Sequence, residues 1–212
     1  MSTAPTVEFW YDFASTYSYP AAMTVARRAA NKGVAVVWRP MFVGALFHAQ
    51  QGIADSPFNL HKEKGAWMWK DMERLCARLG LPLTRPTVFP RNSLPAARMA
   101  LACEAEGLDV GVFSRAVYDA SFAGDRDISD PTVLGEIIAA IDYSGSDVLA
   151  RAATPEIKAA LKSQTDAAAA KGVFGAPTFT TLDGELFWGQ DRLDEALDWV
   201  VSPQPVESTG ML

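Results

Sequence analysis

Two short runs of β-branched and aromatic residues, Val7-Glu8-Phe9-Trp10-Tyr11-Asp12 and Val34-Ala35-Val36-Val37-Trp38-Arg39, flank a single helix-length stretch, and this opening restricts the chain more than any other feature. Each run is too short for a helix and reads as a buried strand. Between them Pro20, Ala21, Ala22, Met23, Val25, Ala26, Ala29 and Ala30 follow a 3.6-residue period that stops at Asn31-Lys32-Gly33, so a helix with proline near its first turn is expected. Strand, helix and strand in this spacing make a βαβ unit with parallel strands.

From Val43 to about Thr154 strand signals nearly vanish. Helical periodicity recurs over Lys64–Leu79, Leu94–Glu106, Asp109–Ala123 and Pro131–Ile141, broken at Gly80-Leu81-Pro82, Arg85-Pro86, Gly107 and Asp130-Pro131. Thr154-Pro155 then caps a further helix to about Lys171. Thr178–Leu182 and Glu185–Gly189 read as a hairpin about Asp183-Gly184, and a last helix covers Asp191–Val201. The order β-α-β, helices, α, β-hairpin, α predicts an α/β, thioredoxin-like fold with an all-α insertion between its βαβ and ββα halves. The expected division is residues 6–42 and 155–202 for the thioredoxin-like domain and 43–154 for the helical domain.

The 212 residues, 49% hydrophobic and 21% charged, suffice for a sizeable core. Nineteen Lys and Arg against 25 Asp and Glu give a net charge of -6, which leaves no basic surplus for a polyphosphate, so no nucleic-acid partner is expected. Met1 to Val7 lacks the basic and apolar regions of a signal peptide, and no apolar run approaches membrane-spanning length. The expectation is a soluble, cytoplasmic protein with no membrane partner. Cys76 and Cys103 form no CxxC pair, and with His48 and His61 they show no metal-ligand spacing. No GxSxG elbow points to a hydrolase.

Three joints carry candidate chemistry. Ser15, Thr16 and Ser18 lie where the first strand turns into the first helix, at unpaired N–H groups that favour negative charge. A hydroxyl there can donate to a thiolate and lower its pKa, while an ordinary helix cap explains the same serine. Ala176-Pro177 precedes a strand; a cis bond would free the Ala176 backbone for an extended peptide, and a trans proline at a strand start is the commoner case. Gly189-Gln190-Asp191-Arg192 opens the last helix, where N–H groups suit a carboxylate and Asp191 suits an ammonium group, or where Asp191 is a plain cap. Lys64 and Asp71 share a helix face, which a solvated charge pair would also explain. Phe42, Phe47 and the stripe Trp67-Met68-Trp69 combine core packing with the wall of an apolar pocket.

The segments Asp12-Phe13-Ala14-Ser15-Thr16-Tyr17-Ser18-Tyr19, Phe174-Gly175-Ala176-Pro177 and Trp188-Gly189-Gln190-Asp191-Arg192, together with Lys64-Gly65-Ala66-Trp67-Met68-Trp69-Lys70-Asp71 and Phe89-Pro90-Arg91-Asn92-Ser93-Leu94, resemble the 2-hydroxychromene-2-carboxylate isomerases and kappa-class glutathione transferases, a DsbA-like thioredoxin branch. The likeness spans about Val7 to Val201. It implies glutathione as cofactor, with Ser15 at its sulfur, Ala176 and Pro177 at the tripeptide backbone, and Gly189, Gln190 and Asp191 at the γ-glutamyl group. It further implies Lys64 at the glycyl carboxylate and Asp71 contributing across a homodimer interface. Phe42, Phe47, Trp67 and Trp69, with Tyr17 and Asn92, are the candidates for packing a small aromatic substrate. Two positions depart from the family pattern. Thr16 stands in place of the proline usual after the serine, and Asp55-Ser56-Pro57-Phe58-Asn59 replaces an Asn-Pro-Pro run before Lys64. Ser15 and Ser18 occupy the two CxxC positions, which argues against disulfide exchange. The resemblance thus implies an isomerase that adds a thiolate reversibly to a conjugated carbonyl compound; a conjugating transferase and a non-catalytic binding module are the alternatives.

Overall fold

The computed structural model describes residues 4–202 apart from 54 and 144, so the segment Met1 to Val7 is described only from residue 4. Strand β1 (Thr6–Tyr11), helix α1 (Ser18–Ala30) and strand β2 (Ala35–Pro40) open the chain. β1 and β2 run parallel in register from Thr6 opposite Ala35 to Tyr11 opposite Pro40. Among the described residues seven helices follow: α2 (Val43–Gln51), α3 (Pro57–Leu60), α4 (Lys62–Leu79), α5 (Leu94–Ala105), α6 (Val110–Phe122), α7 (Pro131–Ala140) and α8 (Gly145–Ala152). Helix α9 (Pro155–Ala170) leads to β3 (Thr178–Thr181) and β4 (Leu186–Trp188), and a 3-10 turn over Gln190–Arg192 leads into α10 (Leu193–Val201). β3 is antiparallel to β1 and β4 antiparallel to β3, giving a mixed sheet of order β2-β1-β3-β4. This is the thioredoxin arrangement with its helical insertion.

The strand period of two sends alternate β1 side chains to opposite faces. Val7, Phe9 and Tyr11 join the large core with α1, α10 and the inserted helices, while Trp10 packs with Met41, Leu46, Ala168 and Val173 on the other face. Phe9 stacks on Tyr11 and Phe179 and meets Trp38 edge-on. Glu8 shares the Trp10 face and accepts hydrogen bonds from Arg39 (3.1 Å) and Thr180 (3.0 Å), with Lys171 at 3.1 Å. Burial alone would raise its pKa, but these donors outweigh it and hold the carboxyl below the usual range.

Helix ends follow local chemistry. Asp109, Asp130 and Thr154 cap α6, α7 and α9 through their side chains. Gly80 ends α4 in the left-handed region, with the Leu81 N–H bonded to the Cys76 carbonyl.

Three helices were not foreseen: α2, the single turn α3, and α8. All are too short for a period to show, and among the described residues they place few side chains in the core: Leu46 of α2 and Val148 and Ala152 of α8. The Asp183-Gly184 connection is also longer than a two-residue turn. β3 stops at Thr181 and the Thr181 N–H bonds the Glu185 carbonyl at 3.1 Å. The last helix begins as a 3-10 turn rather than as α-helix. No helix among the described residues is long and apolar enough to cross a membrane.

Candidate active site

The site starts where β1 runs out. Asp12 turns inward, and its Oδ1 accepts the Ala14 N–H (2.8 Å) while its carbonyl accepts the Ser15 N–H (2.9 Å) and the Tyr118 hydroxyl (2.8 Å). The resulting tight turn lifts Ser15 to the edge of the sheet, half-buried, just ahead of α1. The Ser15 hydroxyl accepts the Ser18 N–H (3.3 Å) and donates to the Ala176 carbonyl (2.9 Å). The first bond is a cap. The second is not needed by any cap, because Ala176 lies 161 residues further along the chain.

The Ala176-Pro177 peptide is cis, as is Phe89-Pro90. The Pro177 carbonyl receives the Gly189 N–H at 3.0 Å, so the loop before β3 and the turn after β4 are locked together. Gly189 has φ 116° and ψ 151°, a conformation open essentially to glycine alone, and a Cβ there would stand 2.5 Å from Asp191 Oδ1. Gln190 is buried, whereas the Asp191 carboxylate is exposed with Arg192 3.7 Å away. Gly175 is held as tightly, since its Cβ would meet the Trp188 indole nitrogen at 2.6 Å. Trp188 in turn packs on Phe174, both largely exposed.

On the other side of Ser15, Thr16 is buried with its hydroxyl directed at Met68 Sδ (3.1 Å). Tyr17 donates to Asp71 Oδ2 (3.0 Å), and Asp71 Oδ1 accepts from Arg74 (3.1 Å). Burial first, then the bond to Asp71 and the Asp71 and Asp191 charges, push the Tyr17 pKa well up, so it remains a phenol. The Tyr17 ring meets Phe58, with centroids 6.3 Å apart. Phe58, Glu63, Lys64 and Trp67 line an open recess of about 390 Å³. Gly65 makes this possible: a Cβ would lie 2.3 Å from the Phe58 carbonyl oxygen, so α3 rests directly on the α4 backbone. Lys64 and Trp67 are exposed, Trp67 by 57%.

Phe42 and Phe47, at the start and middle of α2, are half-buried, and the Phe42 N–H bonds Thr165 Oγ1 at 3.2 Å. Asn92 is exposed, and its Oδ1 accepts the Leu94 N–H (3.2 Å) at the start of α5. Trp69 belongs to the core, edge-on to Phe89 and beneath the Arg85 guanidinium. Ser15, Ala176, Pro177, Gly189, Gln190 and Asp191 are thus linked by direct contacts. Tyr17 and Asp71 adjoin them, and Lys64 and Trp67 connect through Phe58.

Asp12, Phe174 and Trp188 stand in the motifs quoted from the sequence but were given no role there, and Tyr118 was not singled out. The available signal for Asp12 was an acid ending an otherwise apolar strand run. The thiols of Cys76 and Cys103 are buried, which pushes them up to about 11 and about 12. Among the described residues no group of His, Cys, Asp and Glu is placed to hold a metal ion.

A serine at the carboxyl end of β1, bonded across to a cis-proline loop on β3, defines a thioredoxin-fold protein whose site offers a hydroxyl in place of sulfur. The chain belongs to the DsbA-like thioredoxin domain family, whose model matches residues 6–200. It is 28% identical over 204 residues to glutathione S-transferase kappa 1 of Homo sapiens, covering 89% of this chain and 88% of that protein. It is 27% identical over 190 residues to 2-hydroxychromene-2-carboxylate isomerase of Sphingobium xenophagum, covering 89% and 94%. A solved structure of 2-hydroxychromene-2-carboxylate isomerase shares the fold, with a TM-score of 0.79 at 23% identity over 89% of this chain and 90% of that one.

Proposed function

We propose that this chain is a glutathione-dependent isomerase of a 2-hydroxychromene-2-carboxylate-like aromatic compound, working in the cytoplasm as a homodimer. The observation that carries the reading is the half-exposed Ser15 hydroxyl, bonded to Ala176 next to the cis proline and flanked through Pro177 by the Gly189–Asp191 turn. The two cysteines are buried as high-pKa thiols, so a reacting sulfur has to come from outside the chain.

The residues fit the tripeptide. Gly189 carries no side chain where a Cβ would displace Asp191, the exposed Asp191 carboxylate suits an ammonium group, and Lys64 suits a carboxylate at the far end. Ala176 and Pro177 would hold the peptide backbone, with the Gln190 and Asp191 N–H groups toward the γ-glutamyl carboxylate. Ser15 turns its hydroxyl from Ala176 toward the sulfur and stabilises the charged form there. A hydrogen bond to a charged group contributes about 1.5 to 3 kcal/mol, or roughly one to two pKa units. Glutathione held there would supply a thiolate able to add reversibly to a conjugated carbonyl compound, whose double bond is rotatable while the adduct lasts and re-forms on elimination of the thiolate. Tyr17, Phe42, Phe47, Trp67 and Asn92 line the acceptor side. Asp71 keeps Tyr17 in place and contributes across the dimer interface.

A glutathione transferase is the second reading, favoured by the kappa-class relative. Turnover of a hydroxybenzylidenepyruvate or an aromatic enal, with free glutathione titrated before and after, separates the two. An isomerase leaves the total unchanged, and a transferase consumes one equivalent per product. Glutathione binding by calorimetry with no turnover of either compound would leave only a binding module.

A further inference from the structure

Beneath Ser15 lies an acid that the proposed chemistry does not use. Asp12 is 1% exposed, and among the described residues no lysine or arginine forms an ion pair with it. A carboxylate is costly to bury on such terms, and burial pushes its pKa up. Its partners are uncharged: the Ala14 N–H on Oδ1 (2.8 Å) and the Val43 N–H on Oδ2 (2.7 Å). The buried Ser93 hydroxyl lies beside the carboxylate and favours its charged form, without a hydrogen bond of normal geometry. Asp109 and Asp130 make the contrast. They cap α6 and α7 from exposed positions, their carboxylates accepting the Val112 and Thr132 N–H groups within the first turn of their own helices.

The two carboxylate oxygens of Asp12 hold two different backbone segments. Ala14 belongs to the turn that presents Ser15, and the Ser15 N–H is itself on the Asp12 carbonyl. Val43, 31 residues away, is the first residue of α2, which carries Phe47 and has Phe42 at its cap. We infer that Asp12 is a positioning residue that fixes the Ser15 turn against the start of α2, so that the Ser15 hydroxyl and the helix that carries the acceptor-side candidates Phe42 and Phe47 are held at one distance. This rests on the reading above for what occupies the site. A reacting pair displaced by an ångström loses up to about a hundredfold in rate, so the tether bears on chemistry as well as on folding.

Two variants separate those roles. Val43→Pro deletes only the N–H that Oδ2 accepts, at the first helical position, where proline is tolerated. Phe42 is already extended (φ −108°, ψ 94°), as a residue before proline requires. Asp12→Asn keeps the shape and one acceptor oxygen but sets an NH2 donor against one of the two N–H groups, which loosens the tether whichever way the amide lies. With glutathione and an aromatic enal, V43P should raise the KM of the enal about tenfold while the pKa of the bound thiol stays at its wild-type value. D12N should raise both. If the two variants lower Tm alone, with kinetics and thiol pKa unchanged, Asp12 serves only the fold and the inference fails. It fails equally if D12N acts and V43P does not.

Should the wild type bind no glutathione by calorimetry, the functional reading falls on its own account. The tether is then judged by amide hydrogen exchange in the free protein. D12N should accelerate Ser15 and Phe47 by a common factor with Val25 of α1 unchanged, and acceleration of one without the other refutes it.

Discussion

Ser15 and Lys64 stand at the two ends of the candidate site, and the fold holds them by different means. At the Ser15 end the parts are mostly main chain: the Ala176 carbonyl, the Gly189 N–H on the Pro177 carbonyl, and glycines at 175 and 189 whose Cβ atoms would collide with their neighbours. At the Lys64 end the parts are side chains. Lys64 and Trp67 rise from α4 into solvent, and only the Gly65–Phe58 contact beneath them is close-packed. The first end is held by backbone bonds and by glycines with no room for a side chain, which suits chemistry that needs one geometry. The second end is free to vary without disturbing the fold. That division is consistent with relatives of equal distance carrying different names, one a transferase and one an isomerase.

The sharpest way to break the comparison is Gly189→Ala. Forcing a side chain into that conformation costs about 1 to 3 kcal/mol and displaces Asp191. Losing a charged hydrogen bond there, about 2 kcal/mol, should weaken glutathione roughly 30-fold by calorimetry. Wild-type affinity in that variant would mean that the Ser15 end is as adaptable as the other. Next comes Trp67→Ala, which should raise the KM of an aromatic acceptor about five- to tenfold, by losing about 1 to 1.4 kcal/mol of apolar contact. Its Tm should stay within about 2 °C, since an exposed side chain changes stability by at most roughly 0.5 kcal/mol. A large drop in Tm would show that the recess belongs to the core. The smallest effect is expected of Lys64→Met: a loss of about 1 kcal/mol or less in glutathione affinity, roughly three- to fivefold, that shrinks as salt is added. A loss that ignores salt would place Lys64 in the rigid part of the site.

The frame was legible because its signals are local. β-branched and aromatic runs gave β1 and β2, a proline and a closing Asn-Lys-Gly bounded α1, and Asp130-Pro131 and Thr154-Pro155 marked the starts of α7 and α9. The site residues at 15, 176 and 189 were legible as joints, since each lies where a strand ends or begins. What joins them was not. The bond from Ser15 to Ala176 spans 161 residues, Tyr17 to Asp71 spans 54, and Asp12 to Val43 spans 31, and no period or turn propensity encodes such pairs. The cis state of Ala176-Pro177 is set by tertiary surroundings in the same way. Helices α2, α3 and α8 were missed for the opposite reason: their sequences are local but too short for an amphipathic stripe to repeat.

Ser15 both caps α1 and faces the Ala176 carbonyl, so its removal lowers stability by about 1 kcal/mol whatever else it does. Stability therefore does not test its role. The pKa of the glutathione thiol in complex with wild type and with Ser15→Ala, followed by thiolate absorbance across pH, does so directly. If the hydroxyl stabilises the sulfur anion, the variant raises that pKa by roughly one to two units and slows turnover at neutral pH in proportion. An unchanged pKa with unchanged turnover would leave Ser15 a helix cap and contradict the account.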